Sequence, residues 1–171
     1  MLPRANVAAE RIDEVLTCEP SIVDPAPEQA KDAQFAAVAA PGAQIALNDV
    51  SFRYSDSAEC VLEHVSFTAE AGKTTAIIGS TGSGKSTVLK LAERFYDVTS
   101  GSVTIDGVDV REVSQHALRA QLGYVPQKAF LFSGTIASNI GYGAHDAGEE
   151  RIRMAADVAQ ASEFIGEREE G

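Results

Sequence analysis

One run combines glycines, hydroxyls and an ammonium at fixed spacing: Gly79-Ser80-Thr81-Gly82-Ser83-Gly84-Lys85-Ser86-Thr87. From Gly79 to Ser86 it satisfies the phosphate-loop pattern G-x-x-x-x-G-K-[ST]. Gly79, Gly82 and Gly84 let the backbone take conformations that a Cβ forbids. Successive N–H groups can then converge on one concave site for phosphate oxygens. A helix opening near Lys85 adds its positive end. Lys85 offers a mobile ammonium for the β- and γ-phosphates. The Ser86 hydroxyl is a hard oxygen suited to Mg²⁺. Gly72-Lys73-Thr74 ends in the same letters, but Phe67 stands where the pattern needs glycine. Lys73 is therefore expected at the surface, at a strand start. The loop alone leaves motor, GTPase, kinase and transporter open. The chain has no Asn-Lys-x-Asp base-reading motif, which counts against a GTPase, whereas a small-molecule kinase stays compatible with the loop itself.

A phosphate loop needs a strand before it and a helix after it. Thr74 to Ile78 is a short β-rich apolar run and predicts a buried strand ending at Gly79. Lys85 to Phe95 predicts the helix, with Val88, Leu89, Leu91 and Ala92 inward. Upstream, Ile45 and Leu47 alternate, then Val50, Phe52 and Tyr54 alternate in the opposite phase. That pattern predicts a strand with a bulge near Asn48-Asp49. Val61 to Ala69 predicts a second strand, followed by a turn at Ala71-Gly72. Asp106-Gly107, between Ser102–Ile105 and Val108–Val110, is a hairpin signal. Ser114 is expected to cap a short helix through Ala120, and Leu122 to Val125 to form a strand stopped by Pro126. Thr135 is expected to cap Ile136–Ile140. Asp146 and Glu149 suggest a capping box before a last helix whose apolar face is Ile152, Ala155, Ala156 and Ala159.

The first 43 residues differ. Residues 5–17 predict an amphipathic helix, with Ala8, Ile12, Val15 and Leu16 on one face. Residues 19–43 carry Pro20, Pro25, Pro27 and Pro41 among alanines and charges, which is linker composition without predicted structure.

The chain has 171 residues, 44% of them hydrophobic, and a net charge of -11. That is enough for one core. The acidity argues against a nucleic-acid partner, because polyanions select basic stripes. The charge is uneven: residues 1–43 carry -4, residues 44–145 only -2, and residues 146–171 carry -5. The phosphate loop therefore lies in the nearly neutral part. Cys18 and Cys60 follow no metal-ligand spacing and are read as reduced thiols, and His64, His116 and His145 show no metal spacing either. No secretory leader or run of ~18 apolar residues occurs.

In order and spacing, four pieces resemble the nucleotide-binding domain of ABC exporters. They are Val50-Ser51-Phe52-Arg53-Tyr54, the phosphate loop, Ser100-Gly101-Ser102-Val103-Thr104-Ile105-Asp106-Gly107, and Gly123-Tyr124-Val125-Pro126-Gln127 through Leu131-Phe132-Ser133-Gly134-Thr135-Ile136-Ala137-Ser138-Asn139-Ile140. The resemblance covers residues 5–171, and Ala9 to Leu16 resembles the segment leaving the last transmembrane helix. It implies an α/β fold: a P-loop NTPase core with a partial parallel sheet and an N-terminal antiparallel β subdomain. Residues 1–43 would be the connection to a transmembrane domain, and residues 44–171 the N-terminal part of the nucleotide-binding domain.

The resemblance implies ATP and Mg²⁺ as ligands. Tyr54 matches the adenine-stacking aromatic, with a strand-end core tyrosine as the plain alternative. Gln127 matches the Q-loop glutamine, which can join Ser86 at the metal. Phe130, Leu131 and Phe132 match either a docking patch for the transmembrane domain or core packing. Further implied partners are a transmembrane domain and a second nucleotide-binding domain, at the cytoplasmic face of a membrane. The chain contains no Leu-Ser-Gly-Gly-Gln signature, no apolar strand ending in Asp-Glu and no switch histidine. It is thus expected to stop before the signature, to be soluble by itself and to lack turnover alone. A non-catalytic nucleotide-binding fragment is the alternative reading.

Overall fold

The computed structural model of the protein describes residues 2–38, 42–54, 59–144 and 146–167, with side chains from residue 7 onward. His145 and Pro41 lie outside the described residues. The chain divides into two compact units, residues 1–123 and 124–171.

In the first unit, β1 (Ile45–Phe52), β2 (Leu62–Ala69), β3 (Ser100–Ile105) and β4 (Val108–Asp109) form an antiparallel sheet in the order β2-β1-β3-β4. The change of phase in β1 is a real irregularity. Its register against β2 shifts between Leu47 and Val50, and against β3 between Asn48 and Ser51. Asp49 sits there at φ 51° and His64 opposite at φ 50°. The extra residue lets both Leu47 and Val50 face the core. Ser66 Oγ accepts from the Asp49 N–H at 2.9 Å, Ser51 Oγ from the His64 N–H at 3.0 Å, and the His64 ring meets Asp49 Oδ1 at 2.8 Å. Asp106 and Gly107, both at positive φ, turn β3 into β4 as their types predict. A 3-10 turn, Val110–Glu112, follows the hairpin.

Helix α3 (Lys85–Ala92) lays Val88, Leu91 and Ala92 on a core made by Leu47, Val50, Phe52, Val103 and Ile105. Leu89, expected inward, is about half exposed, and Thr87 is buried instead. The inward arc of the helix takes in Thr87 in place of Leu89. α3 also ends at Ala92, because Arg94 takes a positive φ of 52°. α4 (Gln115–Ala120) is capped as expected, with Ser114 Oγ accepting from the Ala117 N–H at 3.2 Å.

The proline-rich segment is not a loose linker. After α1 (Leu2–Leu16), whose apolar face is exposed, residues 21–38 run across the unit and form α2 (Asp32–Val38). Phe35 enters the core at 3% exposure. Asp32 accepts from the Ser114 N–H at 2.8 Å and its hydroxyl at 2.6 Å. Asp24 accepts from the Gln115 backbone and side chain at 2.9 and 3.1 Å. Those bonds, the backbone one foremost, hold the Asp24 carboxyl below its ordinary range. The buried Arg94 guanidinium donates to the carbonyls of Val23 and Val113, each at 3.0 Å, and to Asp97. Composition predicted a linker because prolines and alanines dominate. A few residues, Asp24, Asp32 and Phe35, fix the segment by contacts distant in sequence.

Thr74–Ile78 does not form the expected buried strand. It lies outside any ladder, and Ile78 is 91% exposed. Leu122–Val125 likewise forms no strand, and Val125 is exposed. A parallel strand is stable only between hydrogen-bonded neighbours. Among the described residues every sheet partner is antiparallel, so the parallel part of the sheet is not formed.

The second unit contains α5 (Ile136–Ile140), α6 (Glu149–Val158) and α7 (Ser162–Gly166). Thr135 Oγ1 accepts from the Ser138 N–H at 3.0 Å and caps α5. The expected capping box at α6 is absent. Gly148 is the N-cap and makes no side-chain bond, so Glu149 falls on the first helical position, where it cannot reach back. Of the expected apolar face only Ala156 is buried, Ile152 is half-buried, and Ala155 and Ala159 are exposed.

Candidate functional site

Residues 79–84 form the loop predicted to hold phosphate, and α3 opens directly from it. Gly84 is the N-cap in the left-handed region, at φ 82° and ψ 3°, without a side-chain cap. A Cβ there would stand 2.7 Å from Leu62 Cδ2 and 3.2 Å from the Val61 carbonyl. Glycine is thus required twice, by conformation and by close approach to β2. Gly82 also has positive φ, and a Cβ on it would meet open space. On the first turn of α3 the Thr87 N–H already donates to the Gly84 carbonyl at 2.9 Å, so the helix end offers the N–H groups before it.

Lys85 folds over the loop. Its Nζ donates to the Gly79 carbonyl at 3.0 Å, the Ser80 carbonyl at 2.6 Å and Ser83 Oγ at 3.4 Å. An ammonium on three loop oxygens, with backbone donors at its side, is chemically matched to a phosphate that exchanges for those oxygens. Ser80, Thr81 and Ser83 are exposed along the rim, and Ser86 is exposed on the first turn of α3. Ser86 presents its hydroxyl to solvent, which fits a hydrated Mg²⁺. A groove of about 690 Å³ runs along the loop, with Leu62, Val65, Phe67, Ile77 and Val88 on its apolar side and Ser80, Ser83 and Lys85 at the loop itself.

Tyr54 stands just beyond β1, two residues after buried Phe52. Its ring meets Phe52 edge-on at 4.9 Å and Tyr96 edge-on at 5.0 Å. Its hydroxyl lies 3.0 Å from Thr87 Oγ1. Lys90 Nζ lies 5.7 Å from the centroid of Tyr54 and 5.9 Å from that of Tyr96. Tyr54 as a residue is 45% exposed. Tyr96 and Lys90 were not singled out from the sequence. The i+3 spacing of Thr87 and Lys90 on α3 was the available signal. Lys73, the decoy, is exposed and pairs with Glu70.

Gln127 belongs to the second unit and is exposed in an irregular stretch. Beyond it, Phe130 and Leu131 are exposed and Phe132 nearly half so, which excludes core packing for them within this unit. Phe132 stacks on Tyr142 at 4.2 Å and 7°. The Asn139 amide holds this turn: its Oδ1 accepts from the Phe132 N–H at 2.8 Å, and its Nδ2 donates to the carbonyls of Phe132 at 3.0 Å and Thr135 at 2.9 Å.

A glycine-rich loop leading into a helix, flanked by an antiparallel sheet and an exposed tyrosine, defines a nucleotide-binding architecture of the phosphate-loop class. The family described as ABC transporter matches residues 62–169, and the chain belongs to that family. It is 44% identical over 170 residues to an ABC transporter ATP-binding protein of Mycobacterium tuberculosis, covering 96% of this chain and 28% of that protein. It is 44% identical over 152 residues to an ATP-dependent lipid A-core flippase of Vibrio parahaemolyticus, covering 88% and 26%. A multidrug efflux ATP-binding/permease protein of Mycobacterium tuberculosis is 40% identical over 168 residues, covering 98% and 13%. The fold superposes on a bacterial Atm1-family ABC exporter with ATP bound at a TM-score of 0.84, with 31% identity over 99% of this chain and 28% of that one. The chain thus spans between 13% and 28% of the length of these relatives. The expected fold class and exporter-type nucleotide-binding domain agree with these similarities. No helix among the described residues is long and apolar enough to cross a membrane.

Proposed function

We propose that this chain is the ATP-binding part of an ABC exporter, which couples ATP binding and hydrolysis to transport across a membrane. The observation that carries the proposal is Lys85 seated on the loop oxygens at the head of α3, beside an exposed Tyr54. In this reading the phosphate loop, Gly79 to Thr87, and the Lys85 ammonium bind the triphosphate. Tyr54 stacks on the base without reading its edges. Ser86 and Gln127 offer oxygens to Mg²⁺, which neutralises charge on the phosphates when bound. Residues 1–43 connect to a transmembrane domain, residues 44–171 form the N-terminal part of the nucleotide-binding domain, and a second such domain completes the site. The place of action is the cytoplasmic face of the membrane.

The sequence also supports a second, narrower statement. It holds no apolar strand ending in Asp-Glu, whose carboxylate would polarise water, and no Leu-Ser-Gly-Gly-Gln signature to cap a facing γ-phosphate. Residues 1–171 alone therefore bind nucleotide without turning it over.

The test is ATP affinity of the full polypeptide that carries this chain. Lys85→Ala is expected to weaken it at least about tenfold, the value of one charge-assisted bond. Unchanged ATP affinity and ATP-driven transport in Lys85→Ala would overturn the proposal. Turnover by residues 1–171 alone, free of contaminants, would overturn the narrower statement.

A further inference from the structure

We infer that Arg94 pins residues 21–38 to the last turn of α3, so that nucleotide held at the head of that helix tightens the connection toward the N-terminus. The inference rests on the proposed reading of the phosphate loop and of residues 1–43.

The pin joins separate stretches of chain. The Arg94 side chain is 3% exposed. It donates to the Val23 and Val113 carbonyls, each at 3.0 Å, and to Asp97 Oδ1 at 3.1 Å. Only the Val23 carbonyl belongs to the docked segment. When residues 21–38 lift, that acceptor leaves, and an N–H group of a buried guanidinium loses its partner. Such a loss costs more than breaking an exposed bond.

Arg94 also closes the helix. Its N–H donates to the Leu91 carbonyl at 3.1 Å, and the Phe95 N–H donates to the Lys90 carbonyl at 2.8 Å, the paired bonds of a Schellman end. That end places Arg94 at φ 52°, where glycine is the usual residue. A non-glycine residue stays there when its surroundings hold it. α3 has eight residues, too few to persist without its packing and its end. Loosening the last turn therefore reaches the first, where Lys85 and the loop stand. Phe35 acts in the same direction, since it shares a buried cluster with Val88 and Leu91. Lifting the segment and loosening α3 are thus one event, and a ligand bound to the ordered helix opposes both.

The experiment is amide hydrogen exchange on the full polypeptide that carries this chain. It is run with and without ATP at about 100 times its Kd, in EDTA to prevent turnover. The Lys31 N–H, bonded to the Glu112 carbonyl, and the Gln115 N–H, bonded to Asp24, report the segment. The Phe95 N–H reports the last turn of α3, and the Val88 N–H, bonded to the Gly84 carbonyl, reports the first. The Asp106 N–H, bonded to the Gln44 carbonyl, reports general tightening. Full linkage slows an amide about 100-fold at that concentration. Lys31, Gln115 and Phe95 are expected to slow at least about tenfold, and Asp106 less than about twofold. In Arg94→Met, Val88 should keep its slowing, while that of Lys31 and Gln115 falls to within about twofold. The inference is overturned if ATP binds and leaves Lys31 and Gln115 unchanged, or if Asp106 slows as much as they do. It is equally overturned if Arg94→Met leaves their slowing intact. The comparison in the parent needs no variant, so it decides the matter even where Arg94→Met does not fold. A parent that binds no ATP would remove the reading of the phosphate loop, and the inference with it.

Discussion

Replacing Asp32 by alanine will release residues 21–38 from the first unit while leaving its sheet intact. The Asp32 carboxylate accepts two bonds, from the Ser114 N–H at 2.8 Å and from the Ser114 hydroxyl at 2.6 Å. Both cross between α2 and the cap of α4, so their loss falls on that contact. Ser114 is half-buried, and each charge-assisted bond is worth about 1.5 kcal/mol there, about 3 kcal/mol for the pair. Phe35 remains as an anchor, as do the bonds from Asp24 to Gln115 and from Arg94 to Val23. The opening equilibrium of the segment should therefore rise by about 100-fold without global unfolding. Amide hydrogen exchange reads this directly. The Gln115 N–H is bonded to Asp24 Oδ1 and the Lys31 N–H to the Glu112 carbonyl, and both contacts are lost only when the segment lifts. Amides of the β1–β3 ladder serve as controls. Lys31→Met is the discriminating comparison. Its pair with Glu112 is 44% and 46% exposed, so removing it should change the same amides less than about threefold. The reasoning is refuted if Asp32→Ala has no more effect than Lys31→Met, or if the ladder amides accelerate equally.

Three further outcomes follow from single observations. Burial raises the Glu93 carboxyl above its ordinary range, and its Oε2 has no hydrogen-bond partner. The folded state thus holds this proton more tightly than the unfolded one, and a penalty grows as pH rises through the folded pKa. Glu93→Gln should stabilise by about 1 kcal/mol at pH 7 and by nothing below the ordinary glutamate range, as read by denaturation at both pH values. Gly84→Ala should cost about 2 kcal/mol or more, from positive φ and contact with Leu62, measured by the same denaturation. Asn139→Ala should speed exchange at the Phe132 N–H about tenfold and loosen the Phe132–Tyr142 stack, with unchanged exchange as the contrary result.

The parts of the fold that were legible in the sequence are those set by local chemistry. Asp106-Gly107 turns as its residue types demand, Ser114 and Thr135 cap their helices, and the phase change at Asn48-Asp49 marks the bulge. These depend on a few neighbouring residues. The failures share a different cause. Thr74–Ile78 and Leu122–Val125 have strand composition, but a strand exists only when partners supply its hydrogen bonds. Residues 21–38 have linker composition, but Asp24, Asp32 and Phe35 dock them through contacts about 80 to 90 residues away. In the candidate site, the loop was readable from its motif, and Tyr54 entered only through the resemblance of its strand. Tyr96 and Lys90 were not, because what matters about them is which ring they lie against.

On the proposed reading, binding and turnover rest on different parts of the domain. The atoms proposed for binding, except Gln127, come from the head of α3, its loop and the end of β1. α3 and β1 share one core with β3. At the other end of α3, Arg94 ties the segment that follows α1. A single short helix therefore carries the phosphate loop at one end and leads at the other to a link toward the N-terminus. That arrangement needs no parallel ladder at Thr74–Ile78 to place its donors. Turnover needs in addition a positioned carboxylate, and no residue of the Asp-Glu kind follows an apolar strand in this sequence. On the proposed reading, nucleotide affinity should thus respond to substitutions in α3 and β1.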